Sequence, residues 1–223
     1  MSRCRIALMA KAPLAGLAKT RLAGALGAQG AAALAQRLLQ HAVQQAVQAA
    51  VGPVTLWATP DTSHPAFLQA QAQHGVALAL QAEGDLGRRM AHVFETAFAA
   101  APTPVLLMGT DAPALDAAML CLAARALHEH GVVFVPALDG GYALVGLRSA
   151  EPALLHALFD GIAWSTPQVM QRTRQRLAAA SFAHTELAPV PDIDEPADLV
   201  HLPPSWGPIA KDNRALDLCR PEP

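Results

Sequence analysis

The sequence predicts an α/β protein in which a mainly parallel, mixed sheet lies between two layers of helices. Short apolar runs alternate with longer, Ala-rich segments of helical spacing as far as Ala137. Such alternation is typical of parallel sheets, because each crossover between parallel strands needs a helix. Hydrophobic residues make up 52% of the 223 residues and charged residues 15%, so the chain can bury a substantial core.

Each predicted strand is a short apolar run, and most are bounded by Gly, Pro or Asp. The strands are expected at 3–10, 54–59, 76–81, 132–137, 141–147 and 182–190, and within 103–113, where the strand ends in a polar loop.

The predicted helices carry apolar residues at helical spacing, and several end at a Gly. They are expected at 26–50, 91–100, 115–130 and 167–180, with a turn and short helix over 61–75 and another short helix within 192–206. Residues 1–201 are expected to form a single domain. The Pro-rich segment 202–223 is expected to be a poorly ordered C-terminal tail.

Composition and charge exclude several classes of protein. The net charge of −2 argues against a general nucleic-acid binder, which usually carries a basic excess. Cys4, Cys121 and Cys219 lack the C-x-x-C spacing of a zinc site and do not suggest a disulfide framework. Since no apolar run approaches membrane-spanning length, we expect a cytoplasmic protein with no membrane partner. The apolar, Ala-rich helices leave room for a homodimer.

Charged residues and glycines collect just after the predicted strands, where a parallel sheet forms its ligand crevice. Basic side chains follow the early strands and carboxylates follow the later ones. In chain order these residues are Lys11, Gly16, Lys19, Arg21, Gly84–Arg89, Gly109–Pro113, Asp139–Tyr142 and Asp192–Asp194.

This division of charge suits a polyphosphate bound through Mg²⁺ or Mn²⁺. Phosphate oxygens bind backbone N–H groups, Lys and Arg, whereas these metals bind carboxylate oxygens. Lys19 and Arg21 lie at a predicted helix start, where the helix dipole disfavours cations unless an anion is near. The loop lacks the G-x-x-x-x-G-K-[ST] pattern of a P-loop.

The carboxylates admit structural explanations as well as functional ones. Asp111 is placed to contact a metal or a ribose, and also to cap the following helix. Asp139-Gly140-Gly141 suits either a ligand contact or a plain hairpin turn. Asp192 and Asp194 lie two apart on an extended segment, so both side chains face one way, which favours a cation at Asp194.

Two aromatic residues are also candidates for substrate contacts. Tyr142 can stack on a sugar or base, and core packing explains it equally well. Trp164 can form a wall of the substrate site, or it can belong to a helix entrance built from Ser165, Thr166 and Pro167.

Six motifs in order resemble a known family. They are "KAPLAGLAKTRL", "GDLGRRM", "GTDAP", "ALDGGYALVGL", "WST" and "DIDEPADL", spread over residues 6–199. Together they resemble the GT-A-fold, nucleotide-diphospho-sugar-transferase-like family of the radical-SAM/selenodomain-associated type. Guanylyltransferases of molybdenum-cofactor metabolism are more distant relatives. The resemblance implies a three-layer α/β/α, Rossmann-like GT-A fold.

The resemblance also implies roles for individual residues. Lys11, Lys19, Arg21 and Arg88 would contact nucleotide phosphates, and Gly16 would let the backbone approach them. Asp111 and Asp194 would bind the divalent metal, and Asp111 would also belong to the nucleotide site. Asp139, Gly140 and Gly141 would line the sugar or acceptor side, where Tyr142 and Trp164 are also candidates.

Two positions depart from the family pattern. Ala15 stands where the first motif often has a second Pro, and the acidic motif carries Asp111 alone rather than Asp-x-Asp.

The expected activity is metal-dependent transfer of a sugar from a nucleotide-diphosphate sugar to a small acceptor. Lys19 would neutralise the leaving diphosphate, and Asp139 would be the general base. The alternative is a nucleotidyltransferase, which would join a nucleoside monophosphate from a nucleoside triphosphate to a phosphorylated small molecule and release pyrophosphate. A binding protein that keeps the fold without turnover is a third hypothesis, supported by the single Asp of the acidic motif.

Overall fold

The computed structural model describes residues 4–207 of the chain. These residues form a three-layer α/β/α structure, as the sequence predicts. The poorly ordered tail is predicted to begin at residue 202, but Leu202 and Trp206 pack against a buried apolar cluster. The rest of the predicted tail, from residue 208 onward, lies outside the described residues.

The central layer of the described residues is a sheet of seven strands in the order β3-β2-β1-β4-β6-β5-β7. All strands run in one direction except β6, which is antiparallel to both β4 and β5. The strands are β1 (Arg5–Lys11), β2 (Val54–Thr59), β3 (Ala77–Leu80), β4 (Val105–Met108), β5 (Val132–Pro136), β6 (Tyr142–Leu147) and β7 (Thr185–Glu186).

Helices cover both faces of this sheet. They are α1 (Ala23–Gln48), α2 (Pro65–His74), α3 (Leu86–Ala100), α4 (Ala117–Glu129), α5 (Pro152–Phe159) and α6 (Val169–Ala179). One hydrophobic core joins α1, α2 and α4 to one face of the sheet. A second core joins α3, α5 and α6 to the other face. Two short 3-10 helices, Pro196–His201 and Pro204–Trp206, follow the last strand.

A third hydrophobic cluster fastens the C-terminal segment to α1. Ile193 is fully buried among Leu22, Leu26, Leu34 and Leu38, and the side chains of Leu199, Leu202 and Trp206 pack against the same cluster. We call residues 191–206 the C-terminal strap.

Three elements differ from the sequence-based expectation. α5 was not predicted, because "PALLHALF" is a continuous apolar run without helical periodicity; Pro152 begins it and Leu154 to Phe159 are mostly buried. β7 is only two residues long instead of spanning 182–190, and Pro189 and Pro191 have no N–H to donate to a ladder. α1 begins at Ala23 and is interrupted at Gly27, where φ is 74°.

Within residues 4–207, no helix is both long enough and apolar enough to cross a membrane.

Candidate active site at the carboxyl edge of the sheet

The loop between β1 and α1 carries Lys19 into the protein. Gly16 turns the loop with a φ of 78°, and Lys19 itself adopts a left-handed conformation with φ 47° and ψ 47°. The flanking Ala18 and Leu22 are buried, which anchors the loop on both sides of the lysine. As a result, the Lys19 side chain is only 7% exposed.

The buried ammonium of Lys19 lies between two carboxylates. Its Nζ is 2.7 Å from Oδ1 of Asp111 and 3.6 Å from Oδ1 of Asp194. It also donates a 2.5 Å hydrogen bond to the carbonyl oxygen of Ile193. Residues from three distant parts of the chain therefore meet at one cation.

Arg21 extends this cluster toward solvent. Its Nη1 donates to Oδ2 of Asp194 at 2.9 Å and lies 3.7 Å from Oε1 of Glu195. The Arg21 side chain is 60% exposed, so it remains available to a ligand that approaches from outside.

Backbone hydrogen bonds position the strap next to Asp111. The Ile193 N–H donates to the carbonyl oxygen of Asp111 at 2.8 Å. Upstream, the Val190 N–H donates to the Pro136 carbonyl at 2.9 Å, which continues the pairing with β5. Downstream, Oδ2 of Asp198 accepts from the N–H of Asp194 at 3.0 Å.

A cleft of about 330 Å³ opens beside Asp194. Carboxylates dominate its lining, and we call it the acidic cleft. It is lined by Arg21, Leu138, Asp139, Pro191, Asp192, Asp194, Glu195, Asp198 and His201.

Asp192 shows the electrostatic strain of this cleft. Burial, followed by the negative charge of Asp139, raises the pKa of Asp192 to about 6. A cation or a neutral hydrogen-bond donor would be accommodated here more easily than an anion.

Asp111 and Asp194 have the chemistry of a divalent-metal site. Mg²⁺ and Mn²⁺ prefer carboxylate oxygens, and both carboxylates lie close to the Lys19 ammonium. Within residues 4–207, no group of three or more His, Cys, Asp or Glu side chains is arranged to hold a metal alone. An ion held by this pair would have to take its other ligands from water and phosphate, as Mg²⁺ usually does.

Lys11 and Arg88, also predicted to bind phosphate, form hydrogen bonds with residues close to them in the sequence. The Nζ of Lys11 donates to the Leu17 carbonyl at 2.9 Å and closes its own loop. Arg88 is exposed in the first turn of α3, and its backbone N–H is capped by Asp85 Oδ1 at 2.8 Å. Neither side chain forms an ion pair within the described part of the chain.

The glycine motif after β5 has a clear structural role. Asp139 Oδ1 accepts from the Gly141 N–H at 2.8 Å, which forms a tight turn at the edge of the acidic cleft. Gly140 has a φ of 93°, and a side chain there would collide with the backbone of Pro167. Its carbonyl accepts from the Met170 N–H at 2.8 Å, so the turn also fixes the start of α6.

Tyr142 and Trp164 belong to an aromatic group at the edge of the second core. The Tyr142 ring lies 5.2 Å from that of Phe134 and 6.4 Å from that of Trp164. Burial raises the pKa of the Tyr142 phenol. Trp164 packs on Gly87 at the start of α3, and its buried Nε1 has no hydrogen-bond partner within residues 4–207.

Gln81 is a buried polar residue at this edge that sequence reasoning missed. Its Nε2 donates to the carbonyls of Ala10 and Trp57, at 3.1 and 2.8 Å, and its Oε1 accepts from Arg89 at 3.1 Å. It thereby ties together the ends of β1, β2 and β3. A lone Gln in a Gln-rich chain carries no pattern, and its position as the last residue of a predicted strand is the signal that could have singled it out.

Comparison with known proteins supports this architecture. The family model of an uncharacterized protein conserved in bacteria (DUF2064) matches residues 42–166. No curated protein matches the chain. A proposed nucleotide-diphospho-sugar transferase from Desulfovibrio desulfuricans is 30% identical, with a TM-score of 0.76 over 89% of this chain and 85% of that one.

More distant solved structures share the fold. A CMP:2-keto-3-deoxy-manno-octonic acid synthetase complexed with CTP is 15% identical, with a TM-score of 0.53 over 89% of this chain and 96% of that one. Protein Rv0371c of Mycobacterium tuberculosis, solved with manganese, is 16% identical, with a TM-score of 0.54 over 91% and 98% of the two chains. The chain therefore belongs to the DUF2064 family and has a GT-A-like, nucleotide-diphospho-sugar-transferase fold.

Proposed function

We propose that this protein is a metal-dependent glycosyltransferase that moves a sugar from a nucleotide-diphosphate sugar to a small acceptor. The observation that carries the proposal is the contact of Lys19 with both Asp111 and Asp194 at the carboxyl edge of the sheet. A leaving diphosphate requires cations at this place, and a metal requires carboxylates. The proposal is also supported by the 30% identical relative, which is itself a proposed nucleotide-diphospho-sugar transferase.

In this mechanism the chain's own cations receive the donor. Arg21, which is exposed, contacts the diphosphate first, and Lys19 moves from its two aspartates toward the phosphate oxygens. Their charges neutralise the nucleoside diphosphate as its bond to the anomeric carbon breaks. Asp111 and Asp194 would hold a divalent ion, which would supply further positive charge to the same phosphates.

The acceptor enters through the acidic cleft. Its hydroxyl oxygen forms a bond to the anomeric carbon, and Asp139 accepts the hydroxyl proton. Gly140 and Gly141 hold Asp139 in its turn at the rim of the cleft. Leu138, which is 63% exposed, offers an apolar wall for the acceptor.

A nucleotidyltransferase is the second candidate. It is favoured by the basic β1–α1 loop, which serves an α-phosphate as well as a β-phosphate, and by the fold shared with a synthetase that binds CTP. Its acceptor would be phosphorylated, however, and the acidic cleft presents five carboxylates around a single Arg and a single His. A phosphate would meet like charges there, which is why we rank sugar transfer first.

The proposal is tested by a thermal-shift screen of nucleotide sugars and nucleoside triphosphates, with and without Mn²⁺. A ligand that binds only the folded protein raises Tm by mass action. We expect a nucleotide sugar to raise Tm when Mn²⁺ is present, and Asp111→Ala and Lys19→Ala to abolish that shift. Asp160→Ala, at an exposed carboxylate paired with His156, is the matched control and should retain it.

Product analysis separates the two candidates. Release of a nucleoside diphosphate from a nucleotide sugar supports the glycosyltransferase. Release of pyrophosphate that depends on a phosphorylated acceptor would replace it with the nucleotidyltransferase. A shift that survives both site substitutions would place the ligand elsewhere and contradict the site.

A further inference from the structure

Three side chains on α1 and at the end of the C-terminal strap form a compact group. The guanidinium of Arg37 lies 4.5 Å from the centroid of the Trp206 ring, and its Nη1 donates to the Trp206 carbonyl at 2.8 Å. The ring of His41 meets the Trp206 ring edge-on, with centroids 5.4 Å apart. We call Arg37, His41 and Trp206 the α1 bracket.

The α1 bracket also reaches the loop that carries Asp111. Nε2 of His41 lies 3.0 Å from the carbonyl oxygen of Pro113, within hydrogen-bond distance. Pro113 is two residues after Asp111, and Trp206 ends the strap that begins just before Asp194. The bracket is thus attached to both segments that present carboxylates to Lys19.

Hydrophobic contacts of the C-terminal strap connect the α1 bracket with the segment that carries Asp194. Leu199 and Leu202 pack against the cluster that contains Leu34, Leu38 and the fully buried Ile193. The Ile193 N–H in turn donates to the Asp111 carbonyl. Releasing Trp206 therefore removes the outer end of a strap whose inner end sets the spacing of the two carboxylates.

We infer that Arg37, His41 and Trp206 are positioning residues, which fix Asp111 and Asp194 around Lys19. The importance of these residues for catalysis rests on the proposed function. Their effect on the position of Asp111 and Asp194 can be tested without it. A cation–π contact and an edge-on ring pair are specific in geometry, so Trp206 restrains the orientation of the strap as well as burying apolar surface. Groups that orient metal ligands from outside commonly control metal affinity.

Chemical labelling of amines tests the inference without any ligand. In the wild-type protein, Lys19 should react slowly with acetic anhydride, because it is 7% exposed and paired with carboxylates. Trp206→Ala should raise the labelling rate of Lys19 several-fold, as measured by mass spectrometry. The exposed Lys11 is the internal control, and its rate should not change.

Two further variants and the thiol of Cys4 show whether faster labelling of Lys19 comes from general unfolding of the protein. Trp206→Phe keeps an aromatic face for Arg37 and His41 and should restore slow labelling. Val200→Ala, at a strap residue that is 80% exposed, should behave as wild type. Cys4 is fully buried, so its thiol should stay unreactive in every variant that remains folded. Should Trp206→Ala fail to fold, Arg37→Leu removes the stacked cation and its hydrogen bond instead.

Metal binding supplies the second measurement. We expect Trp206→Ala to weaken the Mn²⁺ affinity measured with saturating nucleotide sugar by about tenfold, as for other groups that orient metal ligands. Unchanged Lys19 labelling in both Trp206→Ala and Arg37→Leu would overturn the inference, as would parallel exposure of Cys4. If wild-type protein binds neither Mn²⁺ nor nucleotide, the proposed function fails, and the labelling comparison still decides whether the bracket positions the site.

Discussion

Lys19 is a buried cation whose partners are the same carboxylates that a divalent metal would use. Its ammonium balances the negative charges of Asp111 and Asp194. Such pairing offsets the cost of burying the ammonium, because the lysine is 7% exposed whereas the two carboxylates are 52% and 43% exposed. Under the proposed function, a metal ion and Lys19 would therefore compete for the same carboxylate oxygens until a bound phosphate drew the lysine away.

This competition predicts an unusual effect of Lys19→Met. The nucleotide-free variant should bind Mn²⁺ about tenfold more tightly than wild type, because a charge-assisted hydrogen bond of about 1.5–3 kcal/mol no longer has to be broken. The same variant should lose the thermal shift with nucleotide sugar. Calorimetric Mn²⁺ titration of both proteins measures the change, and equal or weaker Mn²⁺ binding by Lys19→Met would contradict it.

Sequence reasoning indicates that some residues at the strand ends lie together, but it does not reveal the contacts beyond them. Lys19, Asp111 and Asp194 can be picked out because parallel strands deliver their carboxyl ends to one edge, and the structure brings these residues together. The α1 bracket cannot be found this way. Trp206 lies in what composition alone indicates is a tail, and its contacts with Arg37 and His41 depend on how the strap folds back onto α1.

β7 is only two residues long, and one of them, Glu186, forms an ion pair with a helix. Arg174 of α6 donates to both oxygens of Glu186, from Nε and Nη2, each at 2.7 Å. The bidentate hydrogen bonds from Arg174 hold the pKa of Glu186 below its usual range. The pair links α6 to the edge of the sheet from which the strap departs.

The stability contributed by this pair should depend on pH. A carboxylate whose pKa is lowered by folding adds stability above its unfolded pKa, and loses that contribution as pH falls through the folded value. Glu186→Gln should therefore lower the free energy of unfolding near neutral pH by about 1 kcal/mol or less, since both partners are partly exposed.

Urea unfolding of Glu186→Gln and wild type over a pH series checks this prediction. The difference between the two should shrink toward zero as pH falls below the glutamate range. Asp160→Asn, at the exposed pair with His156, should differ from wild type by less than about 0.5 kcal/mol throughout. A difference for Glu186→Gln that stays constant with pH would show that packing, and not charge, is responsible.

The same elements show why fold prediction from sequence has uneven success. β1, β2 and β4 are apolar runs followed by polar loops, and the sequence predicts them well. α5 lacks an amphipathic pattern because five of its residues are buried, so periodicity gives no signal. β7 is shortened by prolines and pairs with β5 over only two residues. No local pattern reveals the ion pair that Arg174 of α6 makes with Glu186.

For the whole molecule, ligand binding should be visible as a gain in global stability. The site joins the β1–α1 loop, the loop after β4 and the strap, so a ligand there restrains segments from both ends of the chain. At ligand concentrations about a hundredfold above Kd, the gain is about 2.7 kcal/mol.

Removal of the metal tests that expectation. Adding a chelator to the protein with Mn²⁺ and nucleotide sugar should return Tm to the ligand-free value, and adding Mn²⁺ back should restore the gain. Chelator alone, added to protein without Mn²⁺ or nucleotide sugar, should leave Tm unchanged. A Tm gain from the nucleotide sugar that persists in the presence of chelator would indicate metal-independent binding.

The strand order of the sheet has one further consequence. β3, β2 and β1 lie on one side of β4, whereas β6, β5 and β7 lie on the other, and the Lys19 cluster sits near the boundary between them. Loops from the first group shape the surface next to the basic residues, and loops from the second shape the acidic cleft. If the β1–α1 loop binds phosphate as proposed, changes in the second group of loops can alter the acceptor site alone. Relatives with the same β1–α1 loop then need not share an acceptor.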